Sequence, residues 1–139
     1  MLIKNGTVFT RGTSFEKKEI EIEGTQIKAL LPAGEAVPGS DVYDAEGFYV
    51  IPGLVDLHFH GCVGSDISDH DLEGIRKMAA YELKSGITAI CPATINPARE
   101  LGIEKAHGQI TEGALSNLLI LDQDLNIKDI IFKGQVLSL

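Results

Sequence analysis

Two histidines two residues apart, His58 and His60, close an apolar run in "PGLVDLHFHG", residues 52–61. On an extended strand residues i and i+2 project from one face, so the two imidazoles stand side by side and Phe59 points the other way. Paired imidazoles suit Zn²⁺, Fe²⁺ or a similar borderline cation. Two ligands do not close a site, because a catalytic zinc usually takes three protein ligands and a water. Cys62 continues the same alternation and is the candidate third ligand if the chain stays extended through Gly61. A loop starting at Gly61 would break that row, and the plain alternative is two polar residues at a strand end.

Other side chains nearby have ordinary work to do. His70 and the carboxylates Asp66, Asp69 and Asp71 precede an apolar periodic run, where a helix N-terminus favours Asp and Ser, so capping is their expected role. His107 stands next to Gly108 in an expected surface turn. Cys62 and Cys91 fall near the ends of two expected neighbouring strands. Two small buried residues are expected there, ahead of a disulfide or a shared metal.

These residues need a scaffold. "LIKNGTVFT", "KKEIEIEG", "QIKALLP" and "VYDAEGFYVIPG" are short, rich in Ile and Val, and separated by turn residues, which predicts β structure over the first fifty residues. In "EIEIEG" Ile20 and Ile22 face one way and Glu19, Glu21 and Glu23 the other, the pattern of an antiparallel sheet with one wet face. After Pro52-Gly53 comes the strand "LVDLHFH", then the loop "GCVGSDISDHD". A helix capped by Ser68 or Asp69 follows, with an apolar stripe at Leu72, Ile75, Ala79 and Leu83. Ser85-Gly86 ends it, and "ITAICPAT" is a second buried strand. Strand, helix and strand make one βαβ unit with a parallel pair, whose histidines lie at the carboxyl end where α/β folds place chemistry. "NPARELG" is a short helix with Asn96 as cap and Pro97 at its first position. "NLLILD" and "IKDIIFKGQVL" return to β, and the two flanking β regions are expected to join.

Composition sets limits. The chain has 139 residues, 44% hydrophobic and 23% charged, an ordinary globular balance. That is well short of the roughly 250 residues of a full (β/α)₈ barrel. The net charge of −8 argues against nucleic acid and anionic membranes as partners. No signal peptide and no apolar run of about 18 residues is visible, and two cysteines make no disulfide framework. The expected compartment is the cytoplasm.

"VIPGLVDLHFHGCVGSDISD" resembles the first barrel strand of the amidohydrolase superfamily, most closely its N-acetylglucosamine-6-phosphate deacetylase family. "YELKSGITAICPAT" resembles that family's first helix and second strand. "NPARELGIEKAHGQITEGALSNLLILDQDLNIKDIIFKGQVL" is similar to its C-terminal stretch, with Ser116-Asn117 where the family commonly has Ala-Asp. The resemblance implies an α/β chain with a large β part. Residues 1–52 and 107–139 would form a composite β-sandwich, and residues 53–106 a truncated βαβ remnant of a (β/α)₈ barrel. It maps His58 and His60 onto the family's metal-binding pair and implies a divalent metal, Zn or Fe, with an amino-sugar phosphate as substrate. The segments that abut as "CPATINPARELG" are separated by most of the barrel in the family. The family's metal-binding Glu, later His ligands, catalytic Asp and sugar-phosphate contacts therefore have no counterpart here, and no catalytic or substrate-binding residue is assigned.

Three readings follow. One is a deacetylase lineage whose chain is inactive alone, and another a non-catalytic sandwich or oligomerisation module left by an internal deletion. The third is a compact hydrolase using His58, His60 and Cys62. A lone βαβ unit leaves strand faces and edges uncovered, so a homo-oligomer, a dimer, is expected.

Overall fold

The computed structural model describes residues 1–10, 13–35, 37–92 and 110–137, with the backbone alone at 91 and 92. The fold is mostly β, with one α-helix among the described residues. The expected helix at "NPARELG", the turn at His107 and the side chain of Cys91 lie outside them.

The first segment breaks into β1 (Leu2–Lys4) and β2 (Thr7–Thr10) instead of running as one strand. Asn5 between them takes a left-handed φ of 61°, a conformation Asn tolerates better than most residues. Both halves pair antiparallel with one long strand, β3 (Ser14–Glu23), which also pairs with β4 (Gln26–Pro32). On the other side β5 (Val42–Asp44) runs parallel to β1, and β6 (Tyr49–Pro52) parallel to β2.

The end of the chain completes this sheet. β11 (Leu118–Leu121) pairs with β6, followed by β12 (Ile127–Phe132) and β13 (Gln135–Leu137). Nine strands from both flanks of the chain thus share one sheet. It curls on itself: Gln26 bridges Leu115, the Ser116 amide donates to Thr25 O at 3.0 Å, and the turn at Gly134 lies against Gly24. The concave side holds the core of Ile3, Val8, Ile20, Ile22, Val50, Leu118, Ile120 and Ile131. Leu119, Leu121 and Ile130 alternate to the opposite face, where Leu83 and Ile127 cover them. β11 is therefore buried on both faces, which is why its sequence is uninterrupted Leu and Ile.

The expected wet face of β3 needs correction. Glu19 is fully buried. Its carboxylate accepts the amides of Asn5 at 3.0 Å and Gly34 at 2.8 Å, so the β1–β2 kink and the turn after β4 cover it. Buried carboxylates persist only with such partners. Glu21 and Glu23 stay outside and pair with Lys28.

Between β6 and β11 lies the βαβ unit: β7 (Leu54–Phe59), α1 (Leu72–Lys84) and β10 (Ile87–Pro92), with β10 parallel to β7. The intervening loop folds into a small hairpin, β8 (Gly61–Cys62) and β9 (Ser65–Asp66), and a 3₁₀ turn at Ile67–Asp69. The helix cap is Asp71, not Ser68 or Asp69; its carboxylate accepts the amides of Glu73 and Gly74. The buried stripe is likewise displaced to Gly74, Met78 and Glu82, leaving Leu72 71% exposed and Ala79 at the surface. The β8–β9 hairpin packs on α1 and covers this face, as Gly74 against Ser65 shows. No helix among the described residues is long and apolar enough to cross a membrane.

Candidate functional site

β7 springs from the sheet at Gly53, whose amide donates to Asn117 O at 2.7 Å, and Leu54 N donates to Gly86 O at 3.0 Å. Two points from distant parts of the chain thus fix where the strand begins. It ends at Phe59, which is buried and anchors the tip, and His60 follows directly. The Ile67 amide then donates to His60 O at 2.9 Å, closing the loop over the strand end.

His58 and His60 are both exposed and face each other with ring centroids 4.7 Å apart and planes at 79°. Their Nε2 atoms are 3.0 Å apart, so in the metal-free protein one is the N–H donor and the other the acceptor. Two nitrogens each about 2.05 Å from a tetrahedral zinc would stand about 3.3 Å apart. The pair is thus within a few tenths of an ångström of a chelating separation.

A third donor is a different matter. Among the described residues no group of three or more His, Cys, Asp and Glu is placed to hold a metal. Cys62 does not extend the histidine row. Gly61 turns the chain into the β8–β9 hairpin, where a Cβ at 61 would meet Ser65 O at 2.3 Å, and the Cys62 thiol instead lies beside Glu82 on α1. Partial desolvation and that carboxylate push the thiol above its ordinary range. Metal ligation needs the thiolate, which both effects oppose.

The neighbouring carboxylates are committed to the backbone. Asp66 Oδ1 accepts from Ser68 N at 2.8 Å and Ser68 Oγ at 2.6 Å, and Asp66 N donates to Asp69 Oδ2. These Ser68 bonds, the hydroxyl first, hold Asp66 below the usual carboxylate range, with His60 a smaller pull. Asp71 caps α1, and His70 takes a left-handed turn with φ 55°. Capping, the expected role of the three aspartates, is what they do. Sequence reasoning passed over two residues. Asp56 continues the histidine row two positions back, a signal the alternation offered, and its Oδ1 accepts the His58 amide at 2.9 Å. Glu82 is buried beside Cys62, for which the helical pattern gave no sign.

No family model matches the chain. It is 38% identical over 91 residues to a dihydroorotase of Staphylococcus aureus, covering 66% of this chain and 20% of that protein. Its fold matches an N-acetylglucosamine-6-phosphate deacetylase from Pasteurella multocida with a TM-score of 0.60 and 25% identity, over 73% of this chain and 27% of the other. The likeness is to the amidohydrolases. The corresponding deacetylase of Mycobacterium smegmatis agrees, with a TM-score of 0.58 and 27% identity over 72% of this chain and 28% of the other. The chain spans about a fifth of the length of the curated amidohydrolase relatives it matches.

Proposed function

We propose that this chain comes from an amidohydrolase lineage that hydrolyses the amide of an N-acetylated amino-sugar phosphate, and that these 139 residues alone do not turn it over. The observation that carries the lineage is the convergent His58–His60 pair at the carboxyl end of a strand in a parallel pair, the place where barrel enzymes assemble their sites. The sheet joined from both chain flanks and the fold match to a deacetylase support it. In this reading residues 1–52 and 107–139 are the composite sandwich, and 53–106 a truncated remnant of the barrel, working in the cytoplasm.

The two imidazoles would hold a divalent ion, Zn or Fe, which when bound supplies Lewis-acid polarisation of an amide carbonyl. Hydrolysis also needs a positioned base to take the water's proton and return it to the leaving amine. Asp56, Asp66, Asp69 and Asp71 each accept a backbone amide. With two donors and no base assigned among the described residues, binding is supported and turnover is not.

The test incubates the purified 139-residue protein with Zn²⁺ or Fe²⁺ and assays N-acetylglucosamine 6-phosphate and, for the cyclic-amide alternative, dihydroorotate. Rates equal to buffer are expected for both. Turnover that disappears in His58→Ala would overturn the inactive reading, and absence of metal bound at the pair would remove the lineage argument. A second reading, a non-catalytic sandwich module, is favoured by the exposed Leu54 and Leu57 on a sheet that has two strands among the described residues. It holds if the protein self-associates equally with and without metal.

A further inference from the structure

Opposite β3 the first segment carries one residue too many. Ile3 pairs with Ile20 and Thr7 with Lys17, so Lys4, Asn5 and Gly6 face only Lys18 and Glu19. Such an extra residue makes a β-bulge, and this one asks for two particular residues. Position 5 takes the left-handed φ of 61°, which Asn tolerates. Position 6 has no room for a side chain, because a Cβ there would lie 2.8 Å from Val50 Cγ2 and 3.4 Å from Ala45 Cβ. The fold thus puts Asn directly before Gly, and Asn5 is exposed to water. A glycine amide is the least hindered nucleophile for the carboxamide of the residue before it, since it has no Cβ. The side chain of Asn5 is held: Nδ2 donates to Asp44 Oδ1 at 2.8 Å, while its backbone amide donates to Glu19 Oε2 at 3.0 Å.

We propose that Asn5 is a site of spontaneous deamidation restrained by Asp44, and that its change to aspartate or isoaspartate opens the bulge over Glu19. The Gly6 nitrogen attacks Asn5 Cγ and forms an N–Cγ bond. The Cγ–Nδ2 bond breaks, and the nitrogen leaves as ammonia with the Gly6 proton. Water then opens either carbonyl of the cyclic imide, giving aspartate or, with the main chain rerouted through Cγ, isoaspartate. A carboxamide tied to Asp44 must release that bond before Cγ can turn to Gly6, so folding slows the first step. In either product the donor to Asp44 is gone, and a new carboxylate stands with Asp44 and Glu19. Two cations offset part of this charge: Lys17 Nζ donates to the Asn5 carbonyl at 3.0 Å, and Lys4 acts on Asp44. Isoaspartate also adds a main-chain carbon between the amide that Glu19 accepts and the start of β2.

Intact mass and peptide mapping of the whole 139-residue protein, aged in warm neutral buffer, test this. The mass gain of a deamidation is expected at Asn5, several-fold more slowly in the folded protein than in the same chain in guanidinium. Asp44→Ala, shown folded by circular dichroism, is expected to deamidate several-fold faster than wild type. Asp44→Asn, which keeps an acceptor oxygen, is expected to stay near the wild-type rate. Asn5→Asp, the aspartate product, is expected to unfold at lower urea than wild type. No deamidation at Asn5 in either state would overturn the site. Equal rates in folded and unfolded protein, or in Asp44→Ala and wild type, would overturn the restraint. An unchanged urea midpoint in Asn5→Asp would overturn the opening of the bulge.

Discussion

The Asn117 carbonyl accepts the Gly53 amide at 2.7 Å, so the strand that leads to both histidines starts from a residue fixed by the far end of the chain. The same Asn117 uses its side chain: Oδ1 accepts the Lys133 amide at 3.0 Å in the β12–β13 turn. One buried residue therefore ties the curled sheet to the base of the βαβ unit.

Adjacent substitutions here should act in opposite directions. Asn117→Ala strips the Lys133 amide of its acceptor, and a loss of about 1–2 kcal/mol is expected. Ser116 is fully buried, and its Oγ has no hydrogen-bond partner among the described residues. Ser116→Ala removes an unsatisfied polar atom, so a gain of about 1 kcal/mol is expected. Urea unfolding of both variants reads the two signs, and a destabilised Ser116→Ala would mean that the hydroxyl has a partner.

Glu19 should be among the more sensitive charged residues of the sheet. Its carboxylate satisfies the amides of Asn5 and Gly34 from a fully buried position. Glu19→Ala should cost about 2–4 kcal/mol, two charge-assisted bonds partly compensated by water. Glu19→Gln, which keeps one acceptor, should cost about half as much. Denaturant midpoints measure both, and equal losses would mean that shape, not the acceptors, matters.

Tyr43 on β5 donates its hydroxyl to Asp129 on β12, joining two strands distant in the sheet order. Burial first, and then the Asp129 carboxylate, push the Tyr43 phenol well above its ordinary range. A folded pKa above the unfolded value of about 10 gives stability that is complete below pH about 10 and lost as pH rises further. Wild type should therefore lose stability above pH about 10 more steeply than Tyr43→Phe. At pH 7 the variant should be weaker by roughly 1 kcal/mol, allowing for the partly exposed site. Parallel alkaline slopes in the two proteins would contradict the assignment.

Gly86 ends α1 with φ 80°, and a Cβ there would lie 2.8 Å from Leu119 Cδ1 and 3.1 Å from Ile127 Cδ1. Gly86→Ala adds a left-handed alanine, costing about 1 kcal/mol or more, to a clash with the packed outer face of β11. A total loss of about 2–3 kcal/mol is expected, with hydrogen exchange rising first in α1 and β10. Uniform exchange across the sheet as well would show that the βαβ unit is not a separate layer of stability.

The sequence by itself determined most of the strands, the helix that stops at Gly86, the parallel pair and the side-by-side placement of His58 and His60. Each of these follows from local periodicity or a turn residue, information carried within a few positions. Tertiary structure alone decided that Glu19 is buried, because its cover comes from Asn5 and Gly34 rather than from its own strand. It decided which face of α1 is inward, because the β8–β9 hairpin and the Asp71 cap set the rotation and left Leu72 outside. It also decided that Cys62 turns to Glu82 and away from the histidine row, since one close backbone approach at Gly61 reverses a strand that alternation alone would have continued. Periodicity states which side chains share a face. What covers that face is set by contacts between residues far apart in the chain.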